Sequence, residues 1–413
     1  MQQIAAPEVG ASLDHAFDEQ GWRRVIARAA EQFGTPCYVA RWEPVARAAG
    51  RLDRLGSAGI PVQSWLSFKT HPLPPLVRTW IASGGGVEVV SEVELAAACR
   101  DGASRDTLLV NGVAKHAWLR RRSMPHLRVH FDSLREIDEL LDVAVGDRWR
   151  VGVRCHAPGE RDARDARFGG QFGMTAAEAI DALGRLTAAG ARVESMHFHL
   201  GQHAQSRDAY VEGVERLARV CQRARFEPRF IDLGGGLPSP PDAEPMLEGL
   251  VAAIAAARDW FGASLEAVWL ENGRFLTEAS TALAVRVLDV KERDDCRYLI
   301  CDGGRTNQAL AADNGPHRLL VLPPRHGSPM LTAICGPTCM TDDLLARLDL
   351  PRDVGVGDVI AWMDAGAYHL PWETRFSQPL CAVAWSEGAA HLVRVRERER
   401  PEAWLAAWSA AER

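Results

Sequence analysis

Between residues 60 and 275 the chain repeats one pattern eight times. A short apolar, β-branched run is followed by a stretch with helical spacing. The runs are "IPVQSWLSF", "GGVEVVS", "TLLVNG", "LRVHFDS", "RWRVGVRC", "VESMHFHLG", "PRFIDLGGG" and "EAVWLENG". Between them lie patterns such as "SEVELAAACRDG", "SLREIDELLDVAVGD" and "DAYVEGVERLARVCQRA", with apolar residues every three or four positions. Strands that alternate with helices form parallel βαβ units. Eight units over roughly 215 residues fit a (β/α)8 TIM barrel, whose usual size is about 250. A doubly wound open sheet is the alternative. The reading therefore predicts an α/β fold with the barrel over residues 36–276.

Beyond residue 276 the helical rhythm gives way to short β-rich pieces, among them "ALAVRVLDVKE", "CRYLICDGG", "RLLVLPP" and "DVIAWMDAGAY". They predict a C-terminal all-β domain, a sandwich or barrel, over residues 277–413. The first 35 residues are expected to pack with it. A formal net charge of −6 and the lack of a basic stripe argue against a nucleic-acid partner. Nine irregularly spaced cysteines read as reduced thiols. No signal-like N-terminus and no apolar run of about 18 residues is present, so the expected location is the cytoplasm, away from membranes.

The polar residues of the eight runs gather where such a barrel does its chemistry, at the C-terminal ends of the strands. Lys69 closes the first run, and Glu88 and Ser91 lie in the second. Asn111, Asp132 and Arg154 end the next three. His197 and His199 end the sixth, Gly234 to Gly236 the seventh, and Glu271 with Arg274 the eighth. Lys69 stands out because the chain holds only three lysines, the others being Lys115 and Lys291. Codon bias toward arginine explains the scarcity itself. An amine, unlike a guanidinium, can lose its proton and condense with an aldehyde. The "DLGGG" run suits close approach of backbone amides to a phosphate, and barrel phosphate sites commonly use the loops after strands seven and eight. Arg274 adds a charged donor. An aldehyde and a phosphate on one cofactor point to pyridoxal 5′-phosphate. Glu271 then suits its pyridine nitrogen, and His199 its ring face. Each strand-end histidine is equally readable as a satisfied core residue. His197, His199 and His203 also allow a metal reading, but no carboxylate cluster accompanies them and no metal is expected. In the β domain, Cys335 and Cys339 read by themselves as inert thiols.

These motifs together resemble the fold-type III pyridoxal-phosphate decarboxylases, the group of diaminopimelate and ornithine decarboxylases. The likeness runs from about residue 35 to 380 in family order: "SFKTHP", "GGGVEVVSEVELAAA", "VNGVAKH", "HFHLG", "IDLGGG", "ENGR" in place of Glu-Pro-Gly-Arg, "CDGG", "CGPTC" and "GDVIAWMDAGAY". The resemblance implies an alanine-racemase-like barrel with a β domain. It makes Lys69 the Schiff-base lysine and Glu271 the partner of the pyridine nitrogen. Gly234, Gly235, Gly236, Arg274 and Tyr368 then hold the phosphate end, and Glu88, Arg154 and His199 complete the cofactor site. It further implies a head-to-tail homodimer in which Cys339 crosses to the other subunit's site and protonates the substrate after carbon dioxide leaves.

The departures bear on the substrate. Gln202 stands where the family has a phosphate-binding serine, and Met340 where the diamine-forming members have an acidic residue. "GGRTNQALAAD" lacks the Arg-Pro pair and the tyrosine with which diaminopimelate decarboxylases grip their substrate. Asp302, Asp342 or Asp343 could restore a cation site, and Arg305 could bind a carboxylate; with Cys339 and Met340 these form the expected substrate surface. The reading is a decarboxylase of an α-amino acid, free or carrier-tethered, in specialised biosynthesis. It is not a strict diaminopimelate or ornithine decarboxylase. A racemase on the same fold is the nearest alternative, although it pairs the ring nitrogen with arginine. A non-catalytic cofactor-binding homologue is the other.

Overall fold

The computed structural model describes residues 17–156, 170–201, 208–308, 317–387 and 391–409. After a first strand, β1 (Cys37–Arg41), eight parallel strands close into a barrel in chain order. They are β2 (Val62–Ser67), β3 (Gly86–Val89), β4 (Leu108–Val110), β5 (Arg128–Phe131), β6 (Arg150–Arg154), β7 (Arg192–His197), β8 (Phe230–Asp232) and β9 (Ala267–Asn272). Closure comes from β9 lying beside β2, with Val62 opposite Val268 and Leu66 opposite Asn272. Strands such as β9 are buried at every position, because helices cover one face and the barrel interior the other. Several of those helices start where the sequence provides a cap. Ser91, Ser133 and Thr175 each accept the amide three residues on, and Thr175 and Glu178 complete a capping box.

The barrel interior is a column of rings. The Arg128 guanidinium lies over Trp65 and Trp269, at 5.7 and 5.8 Å. Trp65 meets Trp269 edge to face at 5.2 Å, and Phe230 stacks on Trp269 at 4.5 Å. His130 follows, 6.1 Å from Trp269 and 4.8 Å from His197. Rings this large fit only because facing strands omit side chains. A Cβ on Gly86 would sit 2.3 Å from the Trp65 ring, and one on Gly152 would sit 2.5 Å from the His130 ring.

The second sheet is mixed. It contains β10 (Thr281–Arg293), β11 (Cys296–Cys301), β12 (Leu319–Leu322), β13 (Pro329–Cys335), β14 (Leu344–Pro351), β15 (Val359–Trp362), β16 (Ala382–Ser386) and β17 (Leu392–Arg396), with β1 between β10 and β16. The placement of β1 corrects the sequence reading, which starts the barrel domain at residue 36. Cys37–Arg41 is antiparallel to β10 and parallel to β16. Its fully buried apolar run looks like a barrel strand, and only the pairing partner tells them apart. Strand β14 has no counterpart in that reading, because Arg347 and Asp349 interrupt the apolar run of "LLARLDLP". The helix Glu19–Phe33 covers this sheet with Trp22, Val25, Ile26 and Ala29, in a core with Val39, Ala282 and Ala284.

Gly86→Ala is expected to lower the urea stability of the protein by about 1–3 kcal/mol through overpacking against Trp65. Gly50→Ala, on the exposed face of the helix Glu43–Asp53 with no atom within 4 Å, should be neutral or stabilising. Equal losses in both variants would contradict the ring-column account.

Candidate active site

Strand β2 ends at Ser67, and the following turn, Phe68–Thr70, presents Lys69 at the barrel mouth. The Lys69 side chain is 40 % exposed, while its partner Glu88, on β3, is 1 % exposed. Lys69 Nζ donates to both Glu88 oxygens, at 3.1 and 3.3 Å, and Ser67 Oγ donates to the same carboxylate at 2.7 Å. Burial alone would lower the amine's pKa, but Glu88 and then Glu271 outweigh it and raise it above the usual lysine value. The amine is therefore an ammonium that must shed a proton before it can attack a carbonyl. The other lysines sit differently. Lys115 is fully buried, donating to Glu136 at 2.7 Å and to the Gly112 carbonyl at 2.6 Å. Lys291 is half exposed on β10, 3.9 Å from Asp289.

Glu271, near the end of β9, is buried deeper in the barrel. It accepts from Asn111 Nδ2, and His197 Nε2 approaches its Oε1 to 3.4 Å. Asp232 ends β8 beside it, accepting from the Gly234 amide at 2.8 Å. Burial is the main cause that raises both carboxyls, and the negative charge of Asp232 raises Glu271 further. His130 Nδ1 lies 3.8 Å from Asp232 Oδ2, and His130 Nε2 contacts Ser195 Oγ at 3.0 Å. Burial holds both His130 and His197 below the ordinary histidine value, His130 near 3. Both rings are neutral.

The glycine loop follows directly. Gly234 (φ +66°) and Gly236 (φ +102°) occupy the left-handed region. A Cβ on Gly235 would lie 2.4 Å from the Glu271 carbonyl oxygen, and one on Gly234 would lie 2.6 Å from the Phe198 carbonyl oxygen. Among the described residues the amides of Gly235 and Gly236 donate to no protein acceptor. His199 packs against this loop, its Nδ1 accepting from the Gly201 amide at 2.8 Å. Burial, then Arg154 and Lys69, hold it neutral with a pKa of about 3. Arg274 is buried, pairs with Glu278 at 3.0 Å, and lies over the Tyr368 ring at 5.5 Å. The Tyr368 amide donates to the Thr70 carbonyl at 2.9 Å, which brings the β-domain loop to the Lys69 turn. Arg154 ends β6 and pairs with Asp132 at 3.3 Å, with Phe172 4.8 Å from its guanidinium.

Two of the expected substrate groups are engaged elsewhere. Asp343 accepts the amides of Arg305 and Thr338 and the Thr338 hydroxyl. Asp302 accepts the Arg286 amide at 2.8 Å and the Thr35 hydroxyl at 2.6 Å. Both carboxylates shape their own loops: buried Asp343 accepts three donors and half-buried Asp302 accepts two, so each is already engaged within its own segment. Arg305 opens the short helix Arg305–Gln308. Cys339 is exposed, and so is Met340, at 47 %. No hydrogen bond among the described residues joins Cys339 to the Lys69 group. Gln202 and His203 lie outside the described residues. The sequence reading missed His130 and gave Asp232 no role. The alternation of Arg128, His130 and Asp132 along β5 is the signal that could have placed His130 inside the barrel.

A family model for the pyridoxal-dependent decarboxylase pyridoxal binding domain matches residues 49–278, more than half of the chain. The chain belongs to the pyridoxal-dependent decarboxylases. It is 28 % identical over 398 residues to a diaminopimelate decarboxylase of Deinococcus radiodurans, spanning 93 % of this chain and 98 % of that one. A lysine/ornithine decarboxylase of Selenomonas ruminantium is 25 % identical over 84 % of this chain and 88 % of its own length. The M. jannaschii diaminopimelate decarboxylase in co-complex with L-lysine superposes with a TM-score of 0.81 at 20 % identity, covering 93 % and 94 % of the two chains. This decarboxylase is thus a pyridoxal-phosphate-dependent carboxy-lyase acting on an amino acid, with a TIM barrel and a β domain. No described helix is long and apolar enough to cross a membrane.

The residues fit the cofactor. The unpartnered amides of Gly235 and Gly236 suit an anionic phosphate, a buried carboxyl at Glu271 suits a ring nitrogen, and a partly exposed amine at Lys69 suits an aldehyde. Lys115→Met should destabilise this decarboxylase by roughly 3–5 kcal/mol, because it strands Glu136 in the core. Lys69→Met should cost less stability than Lys115→Met while abolishing activity, because Lys69 is 40 % exposed and Glu88 keeps the Ser67 hydroxyl as a donor. Chemical denaturation checks both, and the reverse order of stability losses would contradict the placement.

Proposed function

We propose that this enzyme decarboxylates an α-amino acid, free or tethered to a carrier protein, whose side chain bears no free distal ammonium. That makes it neither a strict diaminopimelate nor a strict ornithine decarboxylase. The observation that supports this most is the engagement of Asp302 and Asp343 within their own segments, with Met340, whose carbonyl accepts the Asp343 amide, exposed. The third candidate, Asp342, is exposed, and a distal ammonium taken into a buried site without a carboxylate partner costs several kcal/mol.

In this reading Lys69 binds the cofactor's aldehyde, and Glu88 takes up the proton that the ammonium gives away at Nζ. The Gly234–Gly236 loop, through the amides of Gly235 and Gly236, would hold the phosphate with Arg274 and Tyr368, and His199 would lie against the ring face. Arg154 contributes a positive charge at the same rim. Glu271 accepts from the pyridine nitrogen. The bound cofactor supplies an electron sink for the pair left behind when carbon dioxide departs. The partner's Cys339 delivers a proton to the α-carbon in a head-to-tail homodimer; the exposure of Cys339 and Met340 supports a contact across that interface.

The test incubates the holoenzyme in heavy water with single amino acids, including diaminopimelate and ornithine, and reads the products by mass spectrometry. The expected product is an amine lighter by one carbon dioxide and carrying one deuteron. It should form from a substrate without a distal ammonium at a kcat/KM at least about 100-fold above that for diaminopimelate or ornithine, a gap of about 2.7 kcal/mol. Efficient turnover of either diamino acid would refute the specificity. Deuterium gained with the carboxylate retained would point to racemase chemistry instead.

A further inference from the structure

Four buried titratable groups, His130, His197, Asp232 and Glu271, bring ligand-type atoms within 4.8 Å of one another inside the barrel, below the level of Lys69. The proposed function uses only Glu271. We propose that Asp232 holds the one proton of the Asp232–Glu271 pair in the holoenzyme, enclosed by the neutral rings of His130 and His197, so that Glu271 meets the pyridine nitrogen as a carboxylate. Asp232 is thus a positioning residue. The proposal rests on the reading that Glu271 faces that nitrogen.

The geometry separates the two acids. Donors converge on Glu271: Asn111 Nδ2 bonds to Oε1, and His197 Nε2 stands 3.4 Å from the same atom. Lys69 and Arg154 favour its ionised form, against Glu88 and Asp232. Asp232 receives the Gly234 amide on Oδ1, and its interaction with the Glu271 carboxyl is the other contact that favours its ionised form. Its Oδ2 is buried without a hydrogen-bond partner among the described residues, with His130 Nδ1 3.8 Å away. A bare buried carboxyl oxygen is where a proton belongs, since an unpaired carboxylate oxygen there carries a desolvation cost. Two carboxylates in one low-dielectric layer do not both ionise, and a pyridinium beside Glu271 decides which one does. Glu88 and Arg154 act on Asp232 in opposite directions. Lys115 and Arg154 keep His130 from competing for the proton. Burial raises both acids, Asp232 to about 7 and Glu271 well above the ordinary carboxyl value, so it is the positive charge of the ring nitrogen beside Glu271 that leaves the proton on Asp232.

A divalent ion in the quartet is the rival. A metal lies in the plane of each imidazole that binds it, along a nitrogen lone pair. The His130 and His197 rings are stacked, 25° apart with centroids at 4.8 Å, so their lone pairs run side by side rather than converging. The same layer would also set a dication against the pyridinium.

The test uses reconstituted holoenzyme at mildly alkaline pH. Infrared spectra of wild-type protein carrying carboxyl-13C aspartate or carboxyl-13C glutamate report the buried protonated carboxyl, and 15N-labelled cofactor reports the pyridine nitrogen. The expected result is a protonated-carboxyl band that shifts with labelled aspartate, is lost in Asp232→Asn, and accompanies a protonated nitrogen. That nitrogen should stay protonated in Asp232→Asn, whose neutral amide stands in for the acid. A band that shifts with labelled glutamate, no band, loss of nitrogen protonation in Asp232→Asn, or a stoichiometric divalent ion by elemental analysis would each overturn the proposal. Glu271→Gln separates the two readings. A nitrogen still protonated in that variant refutes the role of Glu271 itself, whereas its loss there with a failed aspartate shift refutes Asp232 alone.

Discussion

The pairing of β9 with β2 is the constraint on which the site depends. It sets Trp65 beside Glu271 and Leu66 beside Asn272, and so places the Lys69 turn over the buried end of β9. With eight parallel strands closed on themselves, every strand end reaches one rim, and residues 206 positions apart, such as Trp65 and Glu271, become neighbours of one layer. Trp65, Trp269, His130 and His197 below are shut off from bulk solvent, which makes each charge above them costly to leave unpaired.

That cost organises the electrostatics. Glu88, Asp232 and Glu271 are buried acids, and Lys69 and Arg154 are the cations that face them. Lys69 is held as an ammonium by Glu88, and in the proposed function the same carboxylate takes the proton when the amine acts as a nucleophile. The β domain completes the mouth from one side. Its Tyr368 loop is tied to Thr70, and the Gly366 amide donates to the Glu278 carbonyl at 3.0 Å. Gly366 itself is obligatory, because a Cβ there would lie 1.7 Å from the Thr277 carbonyl oxygen.

All eight barrel strands were legible as apolar runs between amphipathic stretches, because a parallel strand covered on both faces carries its burial in its composition. Lys69, Glu88, His199, the glycine loop and Glu271 were legible as strand-end residues. What escaped was what depends on partners in space. Strand β1 reads as apolar whichever sheet it joins, and β14 carries too many charges to look like a strand. His130 lies in mid-strand, where only its inward phase betrays it. Asp302 and Asp343 looked available to a substrate because their donors include backbone amides, those of Arg286, Arg305 and Thr338, which leave no mark in the sequence.

The central claim is that the amine at Lys69 carries the cofactor, and borohydride reduction of the holoenzyme followed by peptide mapping tests it most directly. The account predicts the pyridoxyl group on Lys69 alone, in the segment "SWLSFKTHPLPPL". A group fixed on Lys115 or Lys291, or none fixed at all, would contradict it.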